Sequence, residues 1–475
     1  MNPRRAVVAG LGLSGRAAAR ALLQRGVRVT VVDARDGEAE QATADELRGL
    51  GAEVRLGDAE TPVDSELIVT SPGWRPDQPL LAAAARAGIE VIGEPELAWR
   101  LRPGGDEGSA APWVGVTGTN GKTTTVGMVE AILRAAGYRT AAAGNVGLPL
   151  IEAVLDPTPY DVIVAELSSF QLHWSRDLAP EAAVLLNIAE DHLDWHGSLE
   201  AYAADKAAIW RYGGCGTYNA DDPLVARLAA ESPLDCPHPF TMGAPMSGGF
   251  GVVDGSIVDT TSGVTPAEPE PEYVDHAIRL VRLDELAVVG PHNVANAVAA
   301  AAVTRVFGLA HPMSWTAVRD GLRAYRPGRH RNEVVATGGG VTWVDDSKAT
   351  NPHAAAASLS SYESVVWIAG GLLKGADAAP LVAAQRHRLR GVVLIGRDRA
   401  EIADALARHA PDVPVVTVDA SETRGMDEAV GLAAELARPG DTVLLAPAAA
   451  SLDMFRDYAE RGDRFAAAAR RTVRS

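Results

Sequence analysis

The chain has 475 residues, more than one hydrophobic core holds, so about three domains are expected at roughly 150 residues each. Hydrophobic residues make up 47% and charged residues 22%, a balance that excludes disordered and fibrous chains. The 44 basic residues against 61 acidic ones give a net charge of -17, which excludes nucleic acid and anionic membrane as general partners and leaves any anionic ligand to specific local groups. Cys215 and Cys236 have no metal-ligand spacing and are too few for a disulfide framework, so a reducing cytoplasm is expected. The start, MNPRRAVVAGLGLSG, runs into glycines rather than an apolar signal core, and no run of about 18 apolar residues follows, so neither secretion nor membrane insertion is expected.

Residues 1–105 alternate short apolar runs with helical stretches: AVVAG, a helix from Arg16 to Arg25, then VRVTVVDA, SELIVTSPG and GIEVIG. This pattern predicts a small, Rossmann-like parallel α/β domain. Gly10, Gly12 and Gly15 form GxGxxG between a strand and a helix, with Asp33 at the end of the next strand. The glycines permit a tight turn and close approach of a phosphate to the helix N-terminus, and the carboxylate can take ribose hydroxyls. A nucleotide-like diphosphate is expected here, with a purely structural turn as the alternative. RPGGDEGSAAP, 102–112, reads as a linker.

A second α/β unit, 112–326, opens on the strand WVGVTG and the loop Gly115-Val-Thr-Gly118-Thr119-Asn120-Gly121-Lys122-Thr123-Thr124, followed by a helix from Thr123 to Ala136. Successive glycines let backbone N–H groups wrap a triphosphate, Lys122 meets the outer phosphates, and the Thr123 hydroxyl can bind Mg2+. The loop departs from GxxxxGK[ST] in having Val116 where that pattern has its first glycine. Glu166 ends the strand DVIVAEL, ahead of Ser168, Ser169 and Gln171, and is placed either to hold a metal or to join a helix N-cap cluster. NIAEDHLD brings His192 to another strand end, where a Mg2+ or substrate role is expected. Lys206, taken alone, is a solvated lysine. Asn293 either caps an alanine-rich helix or reaches a purine. Residues 231–277 read as a surface excursion, partly mobile, with no chemistry assigned.

AYRPGRHR, around Pro327, reads as a hinge into a third unit, 327–475. There VTWVDD, VVWIAGG, VVLIGR, VPVVTVD and TVLLAPA alternate with helices such as AEIADALARHA and MDEAVGLAAELA, predicting another doubly wound, Rossmann-like sheet.

GTNGKTTT, GNVGLP, ELSSFQL, NIAEDHLD, GPHNVANA, GRHRNE, DDSKATNP and APAAASLDMFRDYAERGDRF, in this order, resemble the Mur ligase family, the ATP-driven amide ligases of peptidoglycan synthesis. Within it, DSKATN and SLDMFRDYAERG are similar to the D-glutamate-adding members. The resemblance implies ATP and two Mg2+ ions, with Gly118, Thr119, Asn120, Gly121, Lys122, Thr123 and Thr124 around the phosphates. It implies Thr123, Glu166, His192 and a carbamylated Lys206 as the metal set, the carbamate turning a cation into an anionic oxygen ligand. It further implies Asn293 at the adenine, Arg331 and Asp346 at the ribose and phosphates, and Lys348 facing the reacting phosphate. Thr350, Lys374, Ser451 and Tyr458 would surround D-glutamate.

Leu13, Ser14, Asp33, Arg35, Ser71, Gly73 and Asn145 would hold the second substrate, UDP-N-acetylmuramoyl-L-alanine, which displaces an NAD reading of GxGxxG. Leu373 and Tyr458 depart from the family's usual Asp and Phe. The implied reaction passes through an acyl phosphate, with closure about the hinge near Pro327, in a cytoplasmic monomer. The rival readings are a folylpolyglutamate-type ligase, which would lack the first glycine loop, an NAD-dependent oxidoreductase, which leaves GKTTT unexplained, and a non-catalytic nucleotide-regulated binding protein.

Overall fold

A computed structural model describes residues 3–57, 65–104, 110–261, 271–288, 290–418 and 425–474. The first sheet contains β1 (Arg5–Ala9), β2 (Arg28–Asp33), β3 (Glu53–Leu56), β4 (Leu67–Thr70) and β5 (Glu90–Gly93), all parallel in the order β3-β2-β1-β4-β5. Its inner strands are continuous apolar runs because helices cover both faces. The strand order reverses between β1 and β4, so the ligand-binding crevice of such a sheet falls at their C-terminal ends.

The second sheet holds β6 (Trp113–Thr117), β7 (Thr140–Gly144), β8 (Val162–Glu166), β9 (Ala182–Leu185), β10 (Cys215–Asn219), β11 (Cys236–Phe240), β12 (Phe250–Val253), β13 (Ser256–Asp259), β14 (Tyr273–Val274) and β15 (Ala277–Arg282). Their order is β14-β15-β13-β12-β11-β10-β9-β6-β8-β7. Neighbours from β7 to β12 run parallel, and β12, β13, β15 and β14 continue the sheet antiparallel. The surface excursion expected over 231–277 is therefore corrected: its described residues carry four strands of the central sheet, and 262–270 lie outside the described residues. Asp254 and Gly255, with φ of 44° and 66°, make the tight turn between β12 and β13 that right-twisted strands prefer.

Parallel pairing sets Cys215 directly opposite Cys236, with Cα atoms 4.7 Å apart, and the two are joined by a disulfide. The reading of these cysteines as too few for a disulfide framework did not provide for this single bridge. Spacing along the chain hid a contact that strand register creates.

The third sheet comprises β16 (Glu333–Gly338), β17 (Val341–Asp345), β18 (Val365–Gly370), β19 (Leu389–Ile395), β20 (Val415–Thr417) and β21 (Thr442–Leu445), ordered β16-β17-β21-β18-β19-β20. All five expected strands form. The antiparallel edge strand β16 is additional.

The chain divides into two compact units, one of 1–188, 192–286 and 296–325, the other of 189–191, 287–295 and 326–475. In the first, both sheets share a core in which Leu97, Trp113, Leu150 and Leu172 are buried together. The fully buried Glu96 reinforces that junction by accepting the backbone N–H groups of Arg176, Asp177 and Leu178 while pairing with Arg100. In the second unit, separate apolar clusters cover the two faces of the third sheet. Among the described residues no helix is long and apolar enough to cross a membrane.

Candidate active site

In the first unit the loop 118–121 joins β6 to the helix Lys122–Ala135. Gly118 and Gly121 have φ of +154° and +84°, and a Cβ on Gly121 would stand 2.3 Å from Asn296 Oδ1, so both positions require glycine. Asn187, at the end of β9's run, braces the loop: its backbone oxygen accepts Thr119 N, its side-chain oxygen accepts Asn120 N at 2.9 Å, and its amide donates to Asn120 O at 3.1 Å. Lys122 Nζ donates to the carbonyls of Gly118 and Thr119 at 2.7 and 2.9 Å. The result is a helix N-terminus whose loop is held open by backbone geometry, the arrangement that grips phosphate.

Lys206 lies on the helix Leu199–Ala207 and is 1% exposed, which corrects the reading of it as a solvated lysine. Its Nζ donates to Gly118 O at 2.8 Å and stands 4.6 Å from the Tyr202 ring, while Tyr202 OH lies 2.9 Å from Thr119 Oγ1. Glu166, 2% exposed, ends β8 next to β6 and accepts Asn145 Nδ2 at 3.0 Å. Ser168 caps the following short helix in a full capping box with Gln171, so the N-cap alternative is correct for Ser168 and leaves Glu166 outside the cap. His192, in the left-handed region at φ 54°, packs edge-on against Phe170 at 4.8 Å.

A second hydrogen-bonded group backs this cluster. Asp205 meets His173 Nδ1 at 3.0 Å and His196 Nδ1 at 2.8 Å, and His196 Nε2 lies 3.0 Å from Ser169 Oγ. Burial opposes ionisation of Asp205, but the hydrogen bonds from the two histidines prevail and hold its carboxyl below the usual range. One carboxylate thus ties together the segments that carry Ser169, His192 and Lys206. Sequence reading passed over it. The available signal was the pair of histidines in ELSSFQLHW and DHLDWHG.

At the crevice of the first sheet, Asp33 accepts Leu11 N at 2.8 Å and pairs with Arg35, so it shapes the glycine loop. Burial works against its charge, yet the Arg35 and backbone hydrogen bonds keep its carboxyl below the usual range. A Cβ on Gly15 would sit 1.9 Å from Gly10 O, and one on Gly10 2.5 Å from Ser71 Oγ, a buried hydroxyl. Leu13, Arg35 and Gly73 are exposed around this loop, and Ser14 is half-buried.

In the second unit, Asp346 is half-buried, and desolvation pushes its carboxyl up to about 6 despite Arg331 nearby. Asn332 N donates to it at 3.3 Å, and Asn332 Nδ2 lies 3.4 Å from His292 Nε2, one residue before the buried Asn293. Lys348 Nζ stands 3.9 Å from the centre of the Tyr458 ring. Thr350 is half-buried and Ser451 is 4% exposed, whereas Lys374 is exposed with φ 53°. Leu373 is buried and its backbone N–H donates to Asp398 at 2.8 Å. His330, Glu333 and Asp345 bring ligand-type atoms within 4.8 Å of one another, but His330 Nδ1 bonds Asp345 at 2.7 Å and Glu333 accepts His330 N.

Residues 4–93 match the Mur ligase MurD-like N-terminal domain, 116–304 the Mur ligase middle domain, and 330–449 the Mur ligase glutamate ligase domain. The chain is 53% identical over 98% of both chains to UDP-N-acetylmuramoylalanine--D-glutamate ligase of Thermobifida fusca. It belongs to the Mur ligase family. The same-named protein of Streptomyces avermitilis is 54% identical over 98% of this chain and 97% of its own. Among solved structures, UDP-N-acetylmuramate-alanine ligase from Thermotoga maritima shares the fold at TM-score 0.57 and 18% identity, covering 99% of this chain and 100% of its own. Like that Mur ligase, this one is built on three α/β sheets, as its strand pattern led one to expect.

As a Mur ligase, the chain carries two departures whose surroundings are now visible. Leu373 belongs to the apolar core under the sheet, so its side chain is a packing residue. The Tyr458 ring keeps an aromatic face toward Lys348.

Proposed function

We propose that this chain is an ATP-dependent amide ligase that joins D-glutamate to UDP-N-acetylmuramoyl-L-alanine, a step of peptidoglycan precursor synthesis. The observation that carries this reading is the likeness to D-glutamate ligases at 53% identity over 98% of both chains. The phosphate loop supports the energy source.

A carboxylate does not accept an amine at neutral pH, so the L-alanyl carboxylate is first activated by attack on the ATP γ-phosphate, giving an acyl phosphate and ADP. The D-glutamate amine then attacks the acyl carbon, the acyl C–O bond breaks with its electron pair going to the departing phosphate, and the amine nitrogen gives up one proton. Lys122 and Lys348 offset the repulsion between anions that meet in both steps. Gly118, Thr119, Asn120, Gly121, Thr123 and Thr124 orient the phosphates, with Asn293, Arg331 and Asp346 at the nucleoside end. Leu13, Ser14, Asp33, Arg35, Ser71, Gly73 and Asn145 hold the UDP substrate, and Thr350, Lys374, Ser451 and Tyr458 hold D-glutamate.

The donor chemistry suits magnesium, which prefers oxygen ligands: the Glu166 carboxylate, buried at a strand end, and the Thr123 hydroxyl are of that kind. Bound there, with His192 and Lys206 completing a two-ion set, the metal supplies charge neutralisation at the phosphates. Burial of Lys206 beside the Gly118 carbonyl supports its conversion to a carbamate, which would place an anionic oxygen ligand next to the phosphate loop. Consumption of ATP fits a cytoplasmic enzyme, and a monomer is the assembly we assign.

The test is ADP release with the UDP-muramoyl-alanine acceptor across a panel of amino acids. Turnover should require D-glutamate. Equal rates with L-alanine or a diamino acid would overturn the substrate assignment.

A further inference from the structure

Arg461 lies in the helix Tyr458–Arg474 and is 1% exposed. Its guanidinium donates only to neutral acceptors: Nε to Ser347 Oγ at 3.0 Å, Nη2 to Ser347 O at 2.8 Å, and Nη1 to Ala449 O at 3.0 Å and Gly370 O at 3.5 Å. No carboxylate among the described residues forms an ion pair with it. Asp453 and Asp345 act on it only at longer range, and Asp345 is already engaged by His330 and Ser347 N. Burial pushes its pKa down to about 9, the mark of a cation poorly compensated where it stands.

The three accepting residues lie at the ends of three adjacent strands. Ser347 comes after β17, Ala449 after β21 and Gly370 ends β18, and these strands are neighbours in the third sheet. Each loop leads into a residue assigned above to the amino acid: Thr350, Ser451 and Lys374. Ser347 Oγ also donates to Tyr458 O at 2.7 Å, which adds the fourth. The loops are pressed together, with Leu372 and Ala450 exchanging backbone hydrogen bonds of 2.9 Å. A single buried side chain therefore sets the spacing of the whole constellation and places a positive charge behind it.

We propose that Arg461 is a positioning and charge-selecting residue for the incoming amino acid: it clamps the three strand-end loops and biases them toward a dicarboxylate. The inference rests on the D-glutamate reading. An unpaired buried cation gains most from a ligand of two negative charges, because the ligand supplies the counter-charge that the fold withholds. Being buried, it acts through the loops and does not touch the substrate.

The test uses the full-length enzyme and the variants Arg461→Met, Arg461→Gln and Arg461→Lys. Arg461→Met should raise KM for D-glutamate on the order of tenfold or more and leave KM for ATP within about twofold. It should also cut the preference for D-glutamate over D-glutamine on the order of tenfold, and Arg461→Lys should recover part of that preference. Arg461→Gln, which keeps donors and loses charge, should retain more of kcat than of the preference.

If Arg461→Met does not fold, the Gln and Lys variants decide between clamp and charge by the same ratio. Unchanged D-glutamate KM and unchanged preference in the folded variants would overturn the proposal, as would equal rises in the KM of all three substrates. Absence of D-glutamate-dependent turnover in the parent enzyme would instead overturn the function reading.

Discussion

Lys122 holds its own loop through two carbonyls, and charged phosphate oxygens are stronger acceptors than carbonyls. Replacing Lys122 with Ala should lower ADP release on the order of 100-fold or more while leaving the far-ultraviolet circular dichroism unchanged. Near-normal release would remove the loop from the chemistry. Lys206→Ala should lose activity through a different route, regained in part by added acetate, whose carboxylate occupies the space of the missing carbamate. Failure of acetate alongside insensitivity to bicarbonate would dismiss the modification. The two lysines differ in legibility. Lys122 belongs to a contiguous loop and is readable directly, whereas the burial of Lys206 depends on Gly118 and Tyr202, so nothing adjacent to it in the chain announces its place. Arg461 was missed for the same reason, since its partners come from three separate loops.

At the scale of elements, the short helix Leu150–Val154 starts with Ile151 N donated to the buried Glu94 at 2.7 Å, while the other Glu94 oxygen has no hydrogen-bond partner. Burial pushes this carboxyl up to about 7 from an ordinary 4.5. The sign follows from linkage: below its ordinary pKa the group is neutral folded and unfolded, and it costs nothing. As pH rises from about 4.5 to about 7 the unfolded chain ionises while the folded one holds its proton, so stability falls across that window and levels off above it. Glu94→Gln keeps the acceptor and removes the charge. It should be more stable than the parent at pH 8 by up to about 3 kcal/mol, and the difference should vanish near pH 4. Urea titrations at the two pH values check this, and a pH-independent difference would refute it. Elements with strong local signals, such as β6 with its loop and five of the six strands of the third sheet, were legible in sequence. The hairpins at the far side of the central sheet were not, because three of their four strands are only four residues long or shorter and lie among prolines and glycines.

For the molecule as a whole, the alternation of strand and helix revealed three sheets, but not their grouping. Two sheets share one core and the third has its own, and the stretch 287–295 groups with the third although no composition change marks it. Cores of this kind need not melt together. Scanning calorimetry should therefore give a calorimetric enthalpy larger than the van't Hoff enthalpy, and equality of the two would mean that both units unfold as one. The antiparallel extension of the central sheet has a further consequence. The sheet's last strand on that side, Tyr273–Val274, is two residues long, and the strand at the opposite rim, Thr140–Gly144, is mostly buried. Among the described residues neither rim strand offers a long ladder of free amides to a neighbouring copy, so a ten-stranded sheet that would otherwise invite fibril growth ends there without a template for it.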